Sequence, residues 1–255
     1  MLIILSPSKT LDFSLQPKTQ HYTIPQFLKE ADQLVKVLKK FSHKDLQELM
    51  SINYKLADLN VKRFFDWRLP FDPDTAKHAV LAFKGEVYNG LKADEFDEND
   101  LLEAQNHLLI LSGLFGVLRP LDLILPYRLE MGTKLTNAKG ADLYNFWGNK
   151  ITKSVNLSIG QNNHKFLINL ASAEYFRVLD AARIKCKIIT PTFKDFSNGE
   201  YRFLTVYGKK ARGTMARFII KNRINDIESL KLFDEDGYNF NHTLSKGNDW
   251  VFTRG

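Results

Sequence analysis

Charged side chains stand inside the most apolar part of the chain. The segment His107–Gly132, HLLILSGLFGVLRPLDLILPYRLEMG, carries Arg119, Arg128 and Glu130 among leucines, isoleucines and aromatics. A charge taken out of water is costly unless it is paired. Two readings follow. Either Arg128 and Glu130 pair and close one end of a core, or apolar elements deliver Arg119 and Arg128 to a cleft, where planar guanidiniums suit phosphate. Polar groups follow apolar runs twice more. Ser6 and Lys9 come directly after Leu2–Leu5, and Asn169, Glu174 and Tyr175 come directly after 165–168. Lys210, Arg212 and Arg217 add cations near the carboxyl end. Loops at strand ends are where α/β proteins place ligand groups, so Arg119, Arg128, Arg212 and Arg217 are expected to converge near Lys9. The loop Ser6–Thr10 has no glycine. It is therefore not a glycine-rich phosphate loop, and a plain polar turn also accounts for it.

The same residues fit a nucleotide or an extruded base. Ser6 and Asn169 would bond a base edge, Tyr127 or Tyr175 would stack on it, and Arg128 and Lys9 would hold phosphate. Glu130 or Glu174 would then be the candidate general base. Against this, both glutamates can simply neutralise neighbouring arginines. No metal or cofactor is expected: the chain has six scattered histidines, one cysteine and no Glu-x-x-His pair.

A second candidate lies between Ser42 and Trp67. Ser42-x-x-Asp45 is a capping pattern opening a helix over 44–50, and a second helix is expected from Tyr54 to about Trp67. Ser51-Ile52-Asn53 joins them. The apolar frame, Leu46, Leu49, Ile52 and Ala57, matches that of a helix-hairpin-helix, with serine and asparagine in place of its two glycines. Asn53 tolerates a left-handed backbone better than most residues, whereas Ser51 is the harder replacement. Free N–H groups at the start of the second helix would bind phosphate, with Lys55, Lys62 and Arg63 alongside. Such contacts grip the backbone of DNA and do not read bases. An ordinary helical hairpin packed on the core is the competing reading.

The elements that must position these groups follow from periodicity. Leu2–Leu5, 108–111 and 165–170 read as buried strands, and 79–83 as another. Pro25–Phe41 reads as an amphipathic helix, as do 142–155, 172–184 and 209–223. Strands are expected at 187–196 and 201–207, joined across Ser197-Asn198-Gly199, and a closing hairpin at 238–244 and 250–253. The acidic run Asp94–Asp100 reads as a solvated helix start. At 255 residues with 44% hydrophobic content, the chain can bury a sizeable core. The net charge of +7 favours a polyanionic partner. One cysteine, Cys186, excludes internal disulfides and fits a reducing, cytoplasmic setting. No apolar run is long enough for a signal peptide or a membrane helix, so no membrane partner is expected.

Five stretches together carry a resemblance: Ser6-Pro7-Ser8-Lys9-Thr10-Leu11-Asp12-Phe13, 111–122 (LSGLFGVLRPLD), 127–132 (YRLEMG), 169–175 (NLASAEY) and 210–217 (KARGTMAR). In these the chain resembles the bacterial peroxide stress resistance protein YaaA family, over nearly its whole length. The resemblance implies a single mixed α/β (α+β) domain over 1–255 of unusual topology, with a basic cleft and a helix-hairpin-helix element within 42–67. It also implies binding to duplex, bubble or junction DNA, with room for cooperative self-association on it. The implied role is survival of hydrogen peroxide, linked to recombinational repair and to limiting free iron. No catalytic reaction comes with the family. The function expected is therefore DNA binding through the phosphate backbone, and the alternative is an enzyme acting on a nucleotide or extruded base.

Overall fold

A computed structural model describes residues 1–14, 19–71 and 73–255. Its strands are β1 (Leu2–Leu5), β2 (Thr10–Leu11), β3 (Lys77–His78), β4 (Phe83–Lys84), β5 (Leu108–Ser112), β6 (Gly116–Leu118), β7 (Leu123–Ile124), β8 (Phe166–Asn169), β9 (Lys187–Ser197), β10 (Glu200–Arg202), β11 (Asn239–Phe240) and β12 (Asp249–Arg254). Its α-helices are α1 (Leu28–Leu38), α2 (His43–Met50), α3 (Tyr54–Asp66), α4 (Ala79–Ala82), α5 (Glu86–Leu91), α6 (Glu98–His107), α7 (Leu143–Trp147), α8 (Lys150–Gln161), α9 (Ala173–Phe176) and α10 (Thr205–Lys221).

An eight-stranded sheet in the order β11-β12-β9-β8-β1-β5-β6, with β10 added to β9, organises the molecule. Its centre is parallel: β1 pairs with β5 on one edge and β8 on the other, so that Ile4 lies between Leu109 and Asn169. Every residue of β1 and of β5 is buried, as a parallel sheet covered on both faces requires. The order has one consequence for function. From β1 the sheet grows through β5 and β6 on one side, and through β8, β9 and β12 on the other. Loops leaving β1 and β8 therefore flank a topological switch point, where open α/β sheets bind ligands.

Helices α5 and α10 pack on one another, and α10 also meets β9 and β1. Their backbones approach closely because two glycines face across the contact. A Cβ on Gly213 would lie 1.7 Å from the Val87 carbonyl oxygen, and one on Gly90 would lie 2.1 Å from that of Lys210. Apolar residues fill one continuous core, so the fold is a single mixed α/β domain.

Several expectations need correction. Residues 79–82 form the short helix α4 and not a strand, because a short apolar run fits either. The helix expected over 142–155 is broken at Gly148, which takes φ +50°. That expected over 172–184 is one turn, α9, followed by a short 3-10 turn at Ala181–Arg183. Helix α10 begins at Thr205, so the strand expected over 201–207 ends at Arg202. Asp100 is buried and not solvated: it completes a capping box with Asp97 and pairs with Lys221 and Arg223 at 2.7 and 3.1 Å.

His164 gives the fold a pH dependence. Its ring is buried, and Nε2 lies 3.1 Å from the Asn106 carbonyl oxygen. Burial first, then the N-terminal ammonium and His107, push its pKa from 6.5 down to about 4, against a smaller raising effect of the Asn106 bond. The unfolded chain therefore binds the extra proton first. Stability from the neutral ring is full above about pH 6.5 and erodes as pH falls towards 4, by roughly 1–3 kcal/mol. His78 is shifted the same way. Urea melts of wild type and His164→Gln between pH 4 and 7 isolate the His164 share: the variant is expected to lose less stability on acidification.

Candidate functional site

A cavity of about 450 Å³ opens at the switch point. Its floor comes from the two loops that flank it. Ser6, after β1, accepts a hydrogen bond from the Ser172 amide at 2.9 Å, and the two hydroxyls are 3.3 Å apart. The Tyr88 hydroxyl donates to the Ser6 carbonyl at 3.1 Å. One wall carries Tyr127, Arg128 and Glu130, and another Glu174 and Tyr175. Lys209 and Arg212, three residues apart on α10, complete the lining.

Local structure explains why the segment 127–130 reaches this place. Ser112, the last residue of β5, shares a 2.7 Å hydrogen bond with the Tyr127 hydroxyl and accepts from the Phe115 amide. Gly113 follows, and a Cβ there would meet the Leu129 carbonyl oxygen at 2.4 Å. Only glycine lets the 129–130 backbone lie against the end of β5. Burial holds the Tyr127 hydroxyl in its protonated form, opposed by the Ser112 bond. Tyr175 is raised likewise by burial, reinforced by Tyr127, Glu174 and Glu130. Both phenols are thus neutral walls at ordinary pH.

The charges are arranged unevenly. Glu130 bridges two cations, Lys9 Nζ at 2.6 Å and Arg128 Nη2 at 3.2 Å. Arg128 is largely covered, yet its Nε is buried without a hydrogen-bond partner. Arg212 has no carboxylate or hydrogen-bond partner among the described residues; its guanidinium lies 5.6 Å from the centre of the Phe203 ring. Burial alone lowers its pKa from the ordinary value, but a guanidinium remains charged. Glu174 sits at the exposed rim and accepts from the Gly132 amide at 2.9 Å. It does not neutralise an arginine.

The expected convergence holds for Lys9, Arg128 and Arg212 and fails for the rest. Arg119 follows β6, which runs antiparallel to β5, so it is carried back towards the amino end of β5. There it bonds Asp122 at 3.3 Å. Arg217 caps the carboxyl end of α5 through the Leu91 and Lys92 carbonyls and pairs with Glu95 at 2.8 Å. Lys210 pairs with Asp236 at 3.1 Å. Asn169 is buried beside the cavity, holding the Ala171 amide at 3.2 Å, and does not line it. Ser172 and Lys209 line the cavity without having been singled out by sequence. Their signal was present: Ser172 follows β8 as Ser6 follows β1, and Lys209 lies three residues before Arg212.

The hairpin differs from expectation in its donors. Helices α2 and α3 are joined by the three-residue turn, and the Ser42–Asp45 capping box forms. Ser51, not Asn53, takes the left-handed conformation, at φ +50°. Asn53 is extended and caps α3 by accepting from the Leu56 amide at 2.9 Å. The Ser51 and Ile52 amides both donate to the Gln47 carbonyl. Those two N–H groups therefore close α2 and do not face a phosphate. Proline at 51 would break the turn itself, since its φ is fixed near −65°. Lys62 pairs with Asp58 at 2.7 Å, whereas Lys55 is exposed with no ion pair among the described residues. Arg63 is half-buried and, among the described residues, bonds only Asn60, at 3.4 Å. Burial and the neighbouring charge of Arg128 both lower its pKa, so it belongs to the surroundings of the cleft.

Among the described residues no group of three or more histidines, cysteines, aspartates and glutamates is arranged to hold a metal ion. No helix among them is long and apolar enough to cross a membrane.

Fold and site together define a mixed α/β protein with an arginine-bearing cleft at the switch point of its sheet. The family described as "Peroxide stress protein YaaA" matches residues 1–244. A "UPF0246 protein" of Cellvibrio japonicus (strain Ueda107) is 50% identical over 254 residues, covering 100% of this chain and 98% of its own length. The chain belongs to the peroxide stress protein YaaA family.

Proposed function

We propose that the protein acts in peroxide defence by binding nucleic acid through phosphate, along a track from the helix hairpin to the cleft. The supporting observation is a set of guanidiniums with donors left over. Arg119, Arg217, Arg223 and Arg254 each pair with a carboxylate. Among the described residues Arg63 and Arg212 do not, and Arg128 keeps a buried Nε without a partner. Desolvated cations lacking counterions cost stability that a bound polyanion offsets. The net charge of +7 favours the same class of partner at longer range. Contacts of this kind carry no base sequence, so duplex, bubble and junction DNA are all ligands, ranked by shape.

The test is fluorescence anisotropy against duplex, bubble and junction DNA over a salt series. Arg63→Ala is expected to weaken binding about tenfold on every sequence and to flatten the salt slope by about one. Lys55→Glu tests the exposed end of the hairpin in the same assay. A folded Arg63→Ala protein with wild-type affinity and slope would remove the hairpin from the binding track.

The cavity volume of about 450 Å³, within the small-molecule range, favours a second reading, in which the cleft takes a nucleotide or extruded base and acts on it. Glu130 and Glu174 are then the candidate carboxylates.

A further inference from the structure

The cavity at the switch point has the size of a small-molecule site. At about 450 Å³ it falls in the range of small-molecule sites, roughly 300–1,000 Å³. Inorganic phosphate would fill only a fraction of it. Beside the carboxylates of Glu86, Glu130 and Glu174, the lining offers two regions. One is cationic, with Arg212 and Lys209 three residues apart on α10. The other is apolar and aromatic, with Leu170, Tyr127 and Tyr175, and it ends at the Ser6–Ser172 hydroxyl pair. Lys9 and Arg128 already share Glu130, so the anion-binding capacity left over lies on the Arg212 side.

An occupant matching both regions has an anionic end, a flat body and polar edges. We propose that the switch-point cavity is a nucleoside monophosphate site, with phosphate on Arg212 and Lys209 and the base or sugar edge at Ser6 and Ser172. The body of the nucleotide rests on the Tyr175 and Leu170 side. Three independent features support it: the sheet order, which puts the crevice between the carboxyl ends of β1 and β8; the half-buried Arg212, without a carboxylate or hydrogen-bond partner among the described residues; and the cavity volume of about 450 Å³. The ligand can come from two sources, a free nucleotide or one unpaired nucleotide of a strand. Extruding a base costs least where pairing is already broken. This inference deepens the nucleic-acid reading but rests on different residues from those of the hairpin.

Isothermal titration with AMP, GMP, CMP and TMP, and with inorganic phosphate alone, tests it on the whole chain. At least one monophosphate is expected to bind saturably and at least tenfold more tightly than inorganic phosphate. Arg212→Gln should weaken that binding tenfold or more, and Arg212→Lys should recover part of it. If both Arg212 variants fail to fold, a thermal shift of the wild-type protein by the nucleotide, absent with phosphate, serves in their place. Competition then separates the sources. A nucleotide that displaces DNA carrying one unpaired base, but not intact duplex, marks a strand-borne unit, whereas binding without displacement marks a free nucleotide. No saturable binding by folded wild type, or equal binding of inorganic phosphate, would overturn the proposal. Nucleotide binding in a protein that ignores DNA would instead overturn the nucleic-acid reading and leave this one standing.

Discussion

Gly213→Ala is expected to destabilise the protein by about 3 kcal/mol, the upper end of ordinary overpacking. The added Cβ would lie 1.7 Å from the Val87 carbonyl oxygen and 2.8 Å from the Leu91 amide nitrogen. Both are backbone atoms of α5, so no side chain can swing aside, and α5 and α10 must separate. For a domain of this size that corresponds to a fall in Tm of roughly 6–12 °C. Gly160→Ala is the control: nothing lies within 4 Å of its added Cβ, and it sits in the last turn of α8. There alanine should be neutral or stabilising by up to about 1 kcal/mol. Thermal and urea melts of the two variants check the pair, and similar stabilities would mean that the α5–α10 contact yields easily. Because α10 carries Lys209 and Arg212, the Gly213 variant should also bind nucleic acid less well than its residual fold predicts.

Glu130→Gln should have the opposite effect on binding. Glu130 holds Lys9 at 2.6 Å and Arg128 at 3.2 Å, and glutamine removes the charge while keeping the shape. Two cations are then left without their common counterion. Stability is expected to drop by about 1–3 kcal/mol, as for a broken, partly buried pair. Affinity for DNA should rise, by about tenfold at low salt, and the salt slope should steepen by one to two as Lys9 and Arg128 become available to phosphate. Anisotropy on the folded variant measures both. A fall in affinity would show that the carboxylate itself meets the ligand, which is the behaviour required of a general base. Glu174→Gln makes the comparison useful, since Glu174 bonds the Gly132 amide and no arginine.

The parts of this molecule legible in its sequence are those fixed by local pattern. Strands β1, β5 and β8 show as short apolar runs because both faces are covered. The Ser42–Asp45 capping box and the Arg128–Glu130 pair also lie within a few residues of chain. What failed depended on direction or phase. Arg119 and Arg128 sit in one apolar segment, but the reversal at Gly116 sends Arg119 to the other end of the sheet. Residues 201–207 are rich in aromatic and β-branched side chains like a strand, which hid the start of α10 at Thr205. That earlier start puts Lys209 and Arg212 on one face in the second turn, where they line the cleft. The donors of the hairpin were misplaced because Asn53 uses its side chain as a cap, and its backbone is not left-handed.

The central position of β1 also bears on how the chain folds. Its partners, β5 and β8, lie more than a hundred residues downstream. Contacts this distant slow folding, since the loop must close before the pairing rewards it. Until then Met1–Leu5 is an apolar, β-prone segment with two open edges, the kind that recruits other chains. The residues that follow it are Ser6, Pro7, Ser8 and Lys9. A proline and a lysine directly after such a segment act as gatekeepers against aggregation. The loop that lines the finished cleft thus also protects the nascent chain before the cleft exists.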